Sequence, residues 1–172
     1  MLFGVHVYAR AKVVPDLMIS RGEEAHRAAR LLGDQATEFS AAGGVALSYL
    51  DLGDIAEAER WLGLAANVSS SAPSSNRARQ LELWRGTVRA RAGDAEGMRR
   101  HLEQAVALAT SQGRASARCE AVARLAIEAA RLGAATGDAE LLELAERSAN
   151  TARELAAGLP ASLAVRSRRR NT

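Results

Sequence analysis

Cysteine occurs once in the 172 residues, as Cys119, which excludes an internal disulfide and any cysteine-built zinc site. Aromatic residues make up only 3%, too few for a stacking surface that binds single-stranded nucleic acid or sugar. Lysine also occurs once, as Lys12, and the other basic residues are all arginine. No apolar run approaches the roughly 18 residues of a membrane span. Leu2 to Tyr8 has no basic segment before it and is too short for the apolar core of a signal peptide, so a cytoplasmic location is the expectation. What is abundant is alanine, leucine, arginine and glycine, a usage that suggests a high-GC bacterial gene. With 48% hydrophobic and 25% charged residues, the composition is that of a folded soluble protein. A mass of 18.2 kDa suffices for one domain with a core, or for a short repeat array.

The formal charge of +3 has to be located before it is interpreted. Arg166, Arg168, Arg169 and Arg170 lie in the last seven residues, and without them 19 basic and 20 acidic residues remain. The body is therefore close to neutral, and the high isoelectric point belongs to a tail.

The most informative feature is punctuation. Gly-Asp occurs four times, at 33–34, 53–54, 93–94 and 137–138, each time between two segments with helical apolar spacing. Glycine adopts the left-handed conformation just past a helix end, and aspartate caps the amides of the next helix. Asp54 and Glu57 also have capping-box spacing. The last three pairs are 40 and 44 residues apart, which points to a repeated two-helix unit.

Seven helices follow from this pattern, over 17–32, 35–52, 55–69, 76–92, 95–111, 114–136 and 139–157. The stretch 69–75, with serines around Pro73, reads as a loop. One stripe carries Leu81, Trp84 and Val88, another Met98, Leu102, Ala105 and Ala109, and a third Cys119, Val122, Ala126 and Ala129. Residues 1–15 read as an irregular lead-in, 16–159 as one helical-repeat domain and 160–172 as a disordered arginine-rich tail. The fold class expected is all-α, with antiparallel helical hairpins stacked as a short solenoid. The first helix has no hairpin partner in this reading, so self-association or marginal stability is expected of the isolated chain.

Antiparallel helices joined by short turns at this period resemble tetratricopeptide repeats. Val45, Ala46 and Tyr49 before Gly53, with Ala58, Leu62 and Ala65 after it, carry the resemblance best. Gly86, Met98, Leu102 and Ala105 carry it in the second hairpin, where Arg85 and Arg89 depart from the pattern. Ala129, Ala130, Gly133, Leu142 and Ala149 carry it in the third, with Glu146 where an aromatic is usual. The stretches GDIAEAERWLGLAA and GDAEGMRRHLEQAVALA are similar to the repeat arms of LuxR-type ATP-binding regulators and multidomain nucleotide cyclases. That resemblance implies a sensor or docking arm, in signal transduction or transcription regulation.

No catalytic constellation is legible. The phosphate-loop pattern is missing, and the glutamates read as helix N-terminal charges or solvated faces. His6, His26 and His101 lack metal-ligand spacing, and the last two sit among charged residues, which reads as solvated surface. Cys119 reads as a small buried hydrophobe, and Trp61 and Trp84 as packing residues between helices. The expectation is a protein that is not an enzyme, with no cofactor and no metal.

The function expected is a protein-binding scaffold. The alternative is a nucleic-acid accessory protein working through the basic tail. In a solenoid the first helices of successive hairpins line the inner surface. Counting back from the Gly-Asp turns places Ser40, Leu47 and Asp51 there, then Gln80, Leu83, Thr87 and Arg91, then Arg124, Ile127 and Arg131. Of these, Gln80, Thr87, Arg91, Arg124 and Arg131 are the candidate partner-binding residues. The arginines suit an acidic protein or peptide, because guanidinium binds carboxylates bidentately. Glu120 and Glu128, four residues on either side of Arg124, could instead pair with it along an exposed helix.

Overall fold

A computed structural model of the chain describes residues 15–71 and 74–159. Among them are seven α-helices and no strand: α1 (Pro15–Leu32), α2 (Gln35–Asp51), α3 (Ile55–Ser71), α4 (Ser75–Arg91), α5 (Ala95–Ser111), α6 (Ala115–Thr136) and α7 (Ala139–Ala157). The expected all-helical class is observed, with bounds within two residues of those read from the sequence. The expected lead-in and tail lie outside the described residues, except that Pro15 opens α1. Proline suits a first helical position, where its missing N–H would have no partner in any case.

The turns explain why the boundaries were legible. Gly33, Gly53 and Gly93 have φ of +69°, +82° and +78°. The amide that follows each of them returns to a carbonyl five residues back: Asp34 to Ala29 O, Asp54 to Tyr49 O and Asp94 to Arg89 O. That is the Schellman closure, and it satisfies carbonyls the helix end would otherwise strand. The aspartate then accepts from the next helix. Asp34 accepts from the amides of Ala36 and Thr37, both at 3.1 Å, and from Thr37 Oγ1 at 2.6 Å. These Thr37 bonds, side chain first, hold the Asp34 carboxyl below its ordinary range. Asp94 accepts from Gly97 N at 2.8 Å, and Asp138 from the amides of Glu140 and Leu141.

Two local expectations are corrected, and one further turn is found. Asp54 accepts from Glu57 N at 3.0 Å, but the Glu57 carboxylate turns to Arg60 at 2.8 Å, so only half of the capping box forms. The stretch 69–71 is helical rather than loop. Ser70 and Ser71 donate their hydroxyls to Ala66 O and Val68 O, which binds these side chains into the helix they would otherwise compete with. A fifth turn, at Gly113 with φ of +63°, has Arg114 where the others have aspartate, and no side chain caps α6.

Residue contacts divide the chain into two compact units, Met1–Arg77 and Ala78–Thr172. In the first, α2 packs against both α1 and α3. The first helix is thus not without a neighbour. Its Gly22 lies so close to α2 that an added Cβ would stand 2.4 Å from Val45 Cγ2. The core here is built of small residues, with Ala42, Val45, Ala46, Ala58 and Ala65 fully buried.

In the second unit, α6 packs against both α5 and α7. Met98, Leu102, Ala105, Ala121, Ala129 and Leu144 belong to one apolar cluster. Close approach again rests on glycine: a Cβ on Gly86 would stand 2.5 Å from Leu102 Cγ. The stripes read from the sequence are buried as expected, except that Cys119 is half-buried. Its thiol lies 3.5 Å from Ala152 O, and burial pushes its pKa up.

Candidate partner-binding face

The five candidate partner-binding residues lie on α4 and α6, all within the second unit. Thr87 is 5% exposed and donates its hydroxyl to Leu83 O at 3.0 Å, and Leu83 belongs to the apolar cluster. These two positions therefore offer no surface to a partner. The physical reason is that α4 is buried around most of its circumference, so an inward count from the turn does not separate core from groove. Gln80 is half-buried, and Arg91 stands exposed on the last turn of α4. In the first unit, Ser40 gives its hydroxyl to Ala36 O at 2.9 Å, Leu47 is half-buried and Asp51 is exposed.

On α6 the structure brings two candidates together. Arg131 Nη1 donates to Glu128 Oε2 at 3.0 Å, and Arg124 Nη1 lies 3.5 Å from Glu128 Oε1. Glu128 is only 1% exposed, whereas both arginine side chains are more than two-fifths exposed. One buried carboxylate thus holds two half-exposed cations, which leaves the group of three a net charge of +1. A buried carboxylate without partners would cost several kcal/mol, so the geometry binds the arginines to their places as firmly as they bind it. Ile127 projects beside them at 52% exposure.

Glu120 does not pair with Arg124. It accepts from Arg79 Nη1 at 2.9 Å, where Arg79 is 5% exposed on α4 and Glu120 is exposed on α6. Sequence reasoning missed Arg79 altogether. Its signal was position: it lies two residues before Leu81 and four before Leu83, on a helix with few polar faces to spare.

The two histidines expected at the surface are not there. His26 on α1 is 7% exposed, with its ring edge-on to Trp61 of α3 at 5.2 Å and 86°. Its Nε2 lies 3.8 Å from Glu38 of α2. Burial lowers its pKa; the Glu38 charge opposes this and the Arg30 charge adds to it. The Trp61 indole N–H is buried without a hydrogen-bond partner, and Arg60 lies over the same ring at 5.1 Å. His101 on α5 is half-buried and meets Glu82 of α4 at 2.6 Å, while the other Glu82 oxygen accepts from Arg85. Charged sequence neighbours misled the reading in both cases. Ile19, Gly22, His26 and Ala29 recur at helical spacing, and that stripe is the signal for His26.

Among the described residues no group of His, Cys, Asp and Glu could hold a metal ion, and no helix is long and apolar enough to cross a membrane. The arrangement on α6 suits recognition of an anionic group, since guanidinium donors fixed by a third residue lose little freedom on binding. No family model matches the chain, and no curated protein matches it in sequence.

Proposed function

We propose that the chain is a non-catalytic protein-interaction module. In this reading it is a short tetratricopeptide-like helical repeat serving as the regulatory or sensor arm of a bacterial signalling or transcription-regulating protein. The observation that carries the proposal is the Arg124–Glu128–Arg131 group, with Ile127 exposed beside it. Half-exposed arginines locked by a buried acid, next to an uncovered aliphatic side chain, make the mixed polar and apolar surface on which protein segments dock. Support for the repeat reading comes from the recurring glycine turn and from glycines at the close helix contacts.

The test is to pan a random-peptide display library on the full chain and on a chain lacking residues 161–172. Enrichment of peptides that bind both chains equally supports the module. Failure to enrich any peptide, or binding that disappears with the tail, overturns it. The second outcome would favour a role for the basic tail in binding nucleic acid.

A further inference from the structure

The guanidiniums of Arg124 and Arg131 are seven residues apart on α6, which is two turns or about 10 Å along the axis. Glu128 draws them together, because each places its Nη1 on a different oxygen of the same carboxylate. Both arginine side chains are more than two-fifths exposed, and Ile127 lies about one turn from each on the solvent side of the helix.

Three groups therefore act as one surface: two converged cations with one net charge to spare, and an apolar side chain about one turn away. A complementary surface has two carboxylates close together and an apolar side chain beside them. A helix provides this economically. Residues three or four apart on a helix have their Cβ atoms about 5–6 Å apart, and all such pairs point to one side. An extended strand sends adjacent side chains to opposite faces, and its same-face neighbours stand about 6.7 Å apart in a single line, with no room for a flanking group.

We infer that this face of α6 receives an acidic amphipathic helix of a partner protein, bearing the pattern Glu-x-x-Leu-Glu. Glu128 is the positioning residue that aims both arginines. The inference rests on the interaction-module reading and specifies the partner's chemistry. The complementarity is one of donors: each arginine meets Glu128 through Nη1, its other guanidinium N–H groups can receive one partner carboxylate each, and the partner's leucine covers Ile127.

The probe is a labelled alanine-based peptide of about 20 residues, long enough to be partly helical, carrying one Glu-x-x-Leu-Glu. Its affinity for the full chain is read by fluorescence anisotropy. Replacing both peptide glutamates by glutamine is expected to weaken binding by at least about tenfold. Ile127→Glu in the chain should weaken it comparably, and because Ile127 is half-exposed this variant does not disturb the core. Neither arm removes an arginine from buried Glu128, so neither depends on a variant that fails to fold. Glu128→Gln, which keeps the shape but releases the arginines, should weaken binding while helicity stays unchanged. Equal affinity for the glutamate and glutamine peptides overturns the inference, as does equal affinity of wild type and Ile127→Glu. A phosphorylated version binding tightly where the glutamate version does not bind would also overturn it, because the face would then select phosphate. If the display library enriches peptides without paired acids, the module stands and this face is not its site. If it enriches none, the module reading itself falls.

Discussion

At the scale of single residues, the sequence misjudged side chains whose sequence neighbours are charged but whose helical neighbours are apolar. His26 follows Glu23 and Glu24 and precedes Arg27, yet it sits against Trp61 because every third or fourth residue around it turns inward. Its behaviour with pH follows. Burial favours the neutral ring, so the folded pKa lies below the ordinary 6.5 and the unfolded chain binds the proton more readily. The stabilising contribution is complete above pH 6.5 and is lost as pH falls through the lowered folded value. The urea midpoint should drop between pH 7.5 and pH 5, and drop less in His26→Gln, where no proton can bind. Equal drops in the two proteins would contradict this account. Trp61 fluorescence reports the same event locally, since its ring touches the histidine. Glu128 is the converse case. The sequence suggested its pairing with Arg124, but burial could not be read from spacing alone, nor could the loss of Glu120 to Arg79.

At the scale of elements, much more was legible, because a helix end leaves chemical evidence. Each Gly-Asp marks a left-handed closure followed by a cap, and both halves are fixed by the backbone rather than by distant contacts. The stretch 69–75 misled because serine favours loops only when its hydroxyl has nothing better to bond, and two of these hydroxyls bond the preceding turn. Glycines in the same chain should respond oppositely to alanine. Gly93 has φ of +78°, where a Cβ strains the backbone, so Gly93→Ala should lower stability by about 1–2 kcal/mol. Gly63 lies within α3 with open space around it, so Gly63→Ala should raise stability by about 0.5–1 kcal/mol. Chemical denaturation of the two variants checks the signs, and a shared sign would mean that the turn geometry is not what holds Gly93.

At the scale of the whole molecule, the helical class was readable from periodicity, whereas the division into two compact units was not. Alanine and leucine are buried on both sides of the boundary, so composition gives no shift at 77–78. Exposed leucines are a second feature at this scale. Leu31 is 88% exposed and Leu32 83%, at the end of α1. Paired exposed leucines favour contact between copies, so sedimentation at rising concentration should show self-association. Leu31→Lys with Leu32→Gln should reduce it, and a wild-type chain that stays monomeric throughout would contradict the expectation.

In the proposed function the chain works by receiving an acidic protein segment on α6. The most direct measurement is an amide chemical-shift titration of the full chain with the Glu-x-x-Leu-Glu peptide. The account expects saturable shifts concentrated between residues 120 and 135, including the guanidinium Nε–H signals of Arg124 and Arg131. Shifts absent at saturating peptide, or centred on other helices or on the basic tail, would contradict it.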